Sequence, residues 1–106
     1  MSDSKRVDLQ LSTGKDRTSI YETDDIQIMR VRLAPGEALP THNSNSNVLL
    51  VPVEGAVNLK TPECDETFAP GEAFSVPYDI QMDVSNASDS QTTFLVLKTP
   101  HPRNVG

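Results

Sequence analysis

The side chains that could do chemistry in this sequence are few, and they fall into two groups. The first group lies around His42, which opens a polar stretch that runs to Asn47 and includes Ser44. An imidazole in such a stretch can bind a metal ion, transfer a proton or hydrogen-bond a ligand. The histidines are His42 and His101, and nothing in their placement indicates a Ser–His–Asp arrangement.

The second group is a pair of arginines, Arg30 and Arg32, within the apolar-rich residues 26–33. Alternate residues of a strand share a face, so both guanidinium groups are expected to point the same way. A solvated strand face is the ordinary role of such a pair. If the face instead lines a cavity, the two groups could bind a carboxylate or a phosphate through paired hydrogen bonds.

Composition argues against several classes of partner. The 106 residues carry 15 acidic and 9 basic side chains, a net charge of −6, whereas nucleic acids and anionic membranes attract clustered Lys and Arg. No apolar run approaches the roughly 20 residues that a membrane helix needs. The N-terminus lacks the features of a secretory signal, and the single cysteine, Cys64, cannot form an internal disulfide. We therefore expect a cytoplasmic protein with no nucleic-acid or membrane partner.

The elements that must position these side chains are short strands. Apolar residues alternate with polar ones or form short continuous runs, and Pro or Gly separates the runs. No segment shows the spacing of an amphipathic helix. The pattern predicts an all-β antiparallel sandwich or barrel in one domain. Strands are predicted near residues 7–11, 18–23, 26–33, 48–53, 57–60, 66–68, 73–76, 81–85 and 92–97.

Two Ala-Pro-Gly turns mark a repeated pattern. In each, five residues separate the turn glycine from the next motif residue, which is His42 in the first and Pro77 in the second. This spacing resembles the two sequence motifs of the cupin family. The resemblance covers residues 36–86, about half of the chain. The positions in register are Gly36, His42, Gly55, Gly71, Pro77 and Asn86.

The resemblance implies a small single-domain cupin, an antiparallel jelly-roll β-barrel that spans residues 1–106. Residues 1–5 and 103–106 are then expected to be loose ends. Small cupins commonly pair, so the resemblance also implies a homodimer. The alternating Val7, Leu9 and Leu11 add a reason, because a terminal strand of this kind can join a sheet edge.

The resemblance further implies a metal ion held by two His and one Glu of the first motif and one His of the second. His42 keeps the first ligand position, but Ser44 replaces the second His and Met82 replaces the last. Val48, or Leu49 at a longer spacing, replaces the Glu. A catalytic divalent ion needs about three protein ligands. The sequence therefore predicts a degenerate metal motif and no cofactor, with a metal bound through His42 as the alternative.

These departures favour binding over catalysis. We predict a protein that binds a small molecule in the barrel, and we assign no catalytic residue. A metal-dependent dioxygenase or isomerase with a non-standard ligand set is one alternative, and a non-catalytic dimeric structural module is another. The candidate residues for the ligand pocket are His42, Ser44, Val48, Met82, Arg30 and Arg32.

Overall fold

The computed structural model describes residues 4–105, which form strands and one short 3₁₀ helix over Pro102–Asn104. Residues 1–3 and 106, part of the predicted loose ends, lie outside the described residues. None of the described residues belongs to a helix long and apolar enough to cross a membrane. The strands are β1 (Arg17–Glu22), β2 (Gln27–Leu33), β3 (His42–Asn43), β4 (Asn47–Glu54), β5 (Val57–Thr61), β6 (Cys64–Phe68), β7 (Phe74–Val76), β8 (Gln81–Asn86) and β9 (Thr92–Thr99).

The strands form two antiparallel sheets. One sheet has the order β1-β2-β9-β4-β7, and the other has the order β3-β8-β5-β6. Strands that are neighbours in a sheet are mostly distant in the chain, because the chain passes from one sheet to the other. This arrangement is a jelly roll. The predicted all-β antiparallel architecture is therefore confirmed, with sheet edges that stay open rather than closing into a continuous barrel.

The core lies between the facing surfaces of the two sheets. On β9 the inward residues Phe94 and Val96 are buried, and on β4 the inward residues Val48 and Leu50 are buried. This alternation follows from the two-residue period of a strand. Each fully buried Val, Leu or Phe side chain contributes roughly 1.5–3 kcal/mol to the stability of the fold.

The two Ala-Pro-Gly turns fold alike. The Glu37 backbone N–H donates to Ala34 O over 3.0 Å, and the Glu37 carboxylate accepts from the Ala34 N–H over 2.9 Å. The second turn repeats both bonds between Ala69 and Glu72, at 3.1 and 3.2 Å. Gly36 takes a φ of 77°, a conformation that favours glycine. The sequence repeat is therefore also a structural repeat.

Asn86, the last residue of the second motif, holds the loop between β8 and β9. Its Nδ2 donates to Leu33 O and Ser90 O, over 3.0 and 2.7 Å. Its Oδ1 accepts from the Ser88 N–H and the Thr92 hydroxyl, over 2.8 and 2.7 Å. A buried amide with its donors and acceptor satisfied fixes local structure rather than doing chemistry.

Both ends of the chain differ from the prediction. Within the described residues no strand precedes β1, so the strand predicted over residues 7–11 is not formed; β1 itself takes the sheet edge beside β2. At the other end, Arg103 Nη2 donates to Asp24 Oδ1 over 2.9 Å, and Asn104 Nδ2 donates to Asp24 O over 3.0 Å. These two residues, predicted to be loose, are in contact with the body of the protein because Asp24 offers them acceptors. The homodimer stays a prediction.

Candidate functional site

A pocket of about 320 Å³, called here the inter-sheet pocket, opens between the inner faces of the two sheets. Its walls come from β1, β2, β8 and β9, and from β3 with the segments on either side of it. A concave and mostly apolar site of this size suits a small organic molecule. The apolar side chains that line it include Met29, Val31, Leu39, Met82, Val84 and Val96.

His42 and Met82, two of the predicted pocket residues, line the inter-sheet pocket. They lie directly opposite each other in the register of β3 and β8. His42 Nδ1 is 2.9 Å from Pro40 O. A carbonyl oxygen can only accept, so Nδ1 is the donor, and in the neutral ring Nε2 keeps the lone pair. The motif positions therefore bring one imidazole and one thioether together.

Ser44 is not one of the described residues that line the inter-sheet pocket, and its role is structural. Its side chain is buried, and its Oγ donates to Pro77 O over 2.5 Å and accepts from the Ile80 N–H over 2.9 Å. Its backbone N–H also donates to Ile80 O. Ser44 does not share a strand face with His42, because β3 ends at Asn43. Ser44 therefore ties the polar stretch to the loop that precedes β8.

Val48 belongs to the core and is also not among the described residues that line the inter-sheet pocket. It is 4% exposed and lies opposite Val76 on β7 and Lys98 on β9. Val48 has no donor atom, and its side chain packs in the hydrophobic core. The four motif positions thus separate into two that line the pocket and two that build the fold.

The donors at the motif positions do not fit a divalent metal ion. His42 offers one imidazole nitrogen, and Met82 offers a soft thioether that binds such ions weakly. Ser44 Oγ is already bonded to the backbone, and Val48 has no donor atom. Within residues 4–105, no group of three or more His, Cys, Asp or Glu side chains could hold an ion. The arrangement has the chemistry of a hydrogen-bonding site with one imidazole.

Two basic residues that the sequence analysis missed, Arg17 and Lys98, also line the inter-sheet pocket. Lys98 continues the inward series of Phe94 and Val96 on β9, which explains why its side chain faces inside. Burial lowers the pKa of Lys98 below its ordinary value of 10.5. The alternation along β9 could have indicated that Lys98 faces inward. The predicted strand ended at residue 97, one residue before the lysine.

Arg30 and Arg32 lie on the other face of β2 and are not among the described residues that line the inter-sheet pocket. Arg30 is fully buried; its Nη2 donates to Thr13 O over 2.7 Å, and its Nη1 donates to Lys15 O. Arg32 Nη2 donates to Gly14 O. Burial and the charge of Arg32 lower the pKa of Arg30. The loop before β1 covers both arginines. They therefore form neither the solvated strand face nor the cavity lining that the sequence suggested.

A second cavity, of about 530 Å³, lies between the edge strands β6 and β7. Its lining includes Phe74 and Cys64, and Cys64 begins β6 two residues before the strand predicted over residues 66–68. The Cys64 Sγ is 3.2 Å from Thr61 Oγ1. Neither His42 nor Met82 is among the described residues of this lining. We therefore place the candidate site in the inter-sheet pocket, where the motif residues and the basic residues meet.

The chain is similar to an archaeal protein. It is 30% identical over 87 residues to Uncharacterized protein MJ0764 of Methanocaldococcus jannaschii, which covers 81% of this chain and 75% of the relative. The crystal structure of that protein is described as an RmlC-like cupin family protein with a double-stranded β-helix fold. It superposes with a TM-score of 0.84 at 27% identity and covers 97% of this chain and 96% of that chain.

Two bacterial structures extend the comparison. The protein TT1209 from Thermus thermophilus has a TM-score of 0.72 at 25% identity and covers 79% of this chain and 81% of its own. A conserved protein with a double-stranded β-helix domain from Klebsiella pneumoniae shares the fold, with a TM-score of 0.77 at 15% identity over 100% of this chain and 95% of that one. No protein-family model matches the sequence. On the identity and coverage of the archaeal relative, this chain belongs to the RmlC-like cupin family.

Proposed function

We propose that this cupin binds a small organic molecule in the inter-sheet pocket and that it does so without a metal ion. The observation that carries the proposal is the pair His42 and Met82, cross-strand partners on β3 and β8 that both line the mostly apolar inter-sheet pocket. Where the family's motif implies a ligand His, the thioether of Met82 packs in the core at 3% exposure. Methionine fills irregular apolar space well and binds hard divalent ions weakly.

The pocket walls supply affinity and the polar groups supply orientation. Each Å² of apolar ligand surface covered by side chains such as Val31, Val84 and Val96 contributes roughly 25 cal/mol. His42 Nε2 can hydrogen-bond one polar group of the ligand, and Asn45, which also lines the pocket, can bond another. A few polar groups on an apolar surface are the usual composition of a small-molecule site.

We place binding ahead of catalysis because of the ionisable groups in the lining. Arg17, His42 and Lys98 are all bases, and among the described residues of the lining none is acidic. General acid–base catalysis commonly pairs groups whose environments push their pKa values apart, and nucleophilic catalysis pairs a nucleophile with a base. A set of three bases is suited to recognising a ligand.

The test is a thermal-shift screen of wild-type protein in EDTA against anionic, neutral and cationic small molecules. We expect at least one class to raise the Tm saturably. Leu39→Trp, which fills the pocket, should abolish that shift, whereas Leu49→Trp on the exposed outer face should keep it. Asn45→Trp at the pocket is a second blocking variant if Leu39→Trp folds poorly. A shift that needs added metal, a shift that both blocking variants retain, or no shift at all would contradict the proposal.

A further inference from the structure

The side chain of Lys98 enters the inter-sheet pocket from the floor of the larger sheet. Its strand, β9, lies between β2 and β4, so Lys98 is flanked by strands on both sides. The residues opposite it are Gln27 on β2 and Val48 on β4, and neither carries a charge. The ammonium group therefore sits at the end of a series of core side chains without a carboxylate across from it.

Lys98 also lacks a partner elsewhere in the described part of the chain. Residues 4–105 provide it with no hydrogen bond and no ion pair. Arg30, Arg32 and Arg103, by contrast, all bond to backbone or carboxylate oxygens. A half-buried ammonium without a partner costs stability, since the charge loses part of its hydration and gains nothing in return. A ligand that brings a carboxylate to this ammonium would supply the missing partner.

The charges around the pocket are the reverse of those of the whole chain. Acidic residues outnumber basic ones by 15 to 9 in the sequence. The ionisable residues of the described lining are nevertheless Arg17, His42 and Lys98, all of them bases. Like charges gathered between low-dielectric walls focus the local potential and attract an ion of opposite sign. The two cationic side chains of the described lining, Arg17 and Lys98, therefore favour an anion in the pocket although the chain as a whole is acidic.

We propose that the inter-sheet pocket takes an organic monoanion, a carboxylate on an apolar body, and that Lys98 binds the carboxylate. The inference rests on the proposed function and names the class of ligand. One carboxylate balances one inward ammonium, so no net charge is left between the walls. The apolar body lies against Met29, Val84 and Val96, and Arg17, whose side chain is exposed, adds attraction from the rim. The pocket volume of about 320 Å³ admits a carboxylate of small-metabolite size.

The experiment compares two probes of equal shape, cyclohexanecarboxylate and cyclohexanecarboxamide, by NMR titration of isotope-labelled protein in EDTA at neutral pH. Dissociation constants come from the shifts of amides on β8 and β9. The variants are Lys98→Met, which keeps the length of the side chain and removes its charge, and Lys98→Arg, which keeps the charge. Lys60→Met is the matched control, because Lys60 is exposed on β5 and is not among the described residues of the pocket.

Wild-type protein should bind the carboxylate at least about tenfold more tightly than the carboxamide, a difference of about 1.4 kcal/mol. Lys98→Met should remove that preference, Lys98→Arg should keep part of it, and Lys60→Met should leave it unchanged. Equal binding of both probes to wild type would overturn the anion inference and leave the proposed binding function intact. Loss of the preference in Lys60→Met, its retention in Lys98→Met, or no binding of either probe would also overturn the inference.

Discussion

His42 and Met82 lie directly opposite each other on β3 and β8, and both side chains line the inter-sheet pocket. The imidazole is the one strong metal-binding group that the first motif retains, and its cross-strand partner is a thioether rather than a second imidazole. His42 Nδ1 donates to Pro40 O over 2.9 Å. This bond fixes the orientation of the ring and leaves Nε2 free to contact a ligand. A single oriented imidazole beside apolar walls can fix the position of a ligand, but it provides one of the several donors that an ion requires.

The first prediction concerns the stability cost of Lys98. We expect Lys98→Met to raise the Tm by a few degrees, because it replaces a half-buried ammonium that has no partner within residues 4–105 with an apolar side chain of similar length. Differential scanning calorimetry at neutral pH measures the change. Lys60→Met, at an exposed position, should leave the Tm nearly unchanged. A lower Tm for Lys98→Met would show that the ammonium stabilises the fold.

The first prediction has a second part: the stability difference between wild type and Lys98→Met should depend on pH. Because burial lowers the pKa of Lys98 in the folded state, the unfolded chain binds more protons between that lowered pKa and 10.5. The free energy of unfolding of wild type should therefore rise relative to Lys98→Met as pH increases through this window. Arg17 and His42, the other ionisable groups of the described lining, are present in both proteins and cancel in the comparison. Urea unfolding at several pH values tests it, and a gap that stays constant would contradict it.

The second prediction separates the arginines by role. Arg30→Met should lower the free energy of unfolding by about 1–3 kcal/mol, because the carbonyl groups of Thr13 and Lys15 lose a charged donor. It should leave carboxylate binding unchanged. Arg17→Met at the pocket rim should do the reverse, with weaker binding and little loss of stability. Urea unfolding and the NMR titration measure both effects, and a binding defect in Arg30→Met would contradict the assignment.

The third prediction isolates the close contact at Gly55. Gly55 and Gly36 share a φ of 77°, so alanine at either position carries the same backbone penalty of about 1–2 kcal/mol. At Gly55 the added Cβ would lie 2.9 Å from Thr92 Cα and against Thr92 Oγ1, whereas nothing lies within 4 Å at Gly36. Gly55→Ala should therefore cost at least about 1–3 kcal/mol more than Gly36→Ala in urea unfolding. Equal losses would show that Thr92 moves away without cost.

The fourth prediction tests the role of Ser44. Ser44→Ala removes a hydroxyl that donates to Pro77 O and accepts from the Ile80 N–H. The variant should lose about 1–3 kcal/mol of stability and should bind the pocket probes as wild type does. Thermal unfolding and the NMR titration are the measurements. A variant of unchanged stability with weakened binding would place Ser44 in the ligand site instead.

Much of the fold could be predicted from the sequence, because local signals specify it. The Ala-Pro-Gly turns need φ values that glycine adopts, and the alternation on β2 and β9 reports which residues face inward. The site was harder to predict, since its contacts join distant parts of the chain. Arg30 bonds to carbonyls 15 and 17 residues earlier in the chain. No local sequence pattern indicates that the loop before β1 covers this side chain.

The placement of Ser44 shows how a spacing rule fails. Counting from His42 by two assumes an unbroken strand, but β3 has only two residues and the chain turns after Asn43. Lys98 shows the opposite failure. Lys98 continues the inward alternation of β9, but a charged residue after an apolar run is normally taken to end the buried strand. Only the pocket around Lys98 shows that its side chain faces inward.

The fifth prediction addresses the central claim, that the site does not depend on a metal ion. The measurement is calorimetric titration of untagged, EDTA-stripped wild type and His42→Ala with Mn²⁺, Fe²⁺, Ni²⁺ and Zn²⁺. A single imidazole whose cross-strand partner is a thioether should bind each ion no better than a surface histidine does, so neither protein should give a saturable heat in the micromolar range. Stoichiometric binding of micromolar or tighter affinity by wild type, lost in His42→Ala, would contradict the account.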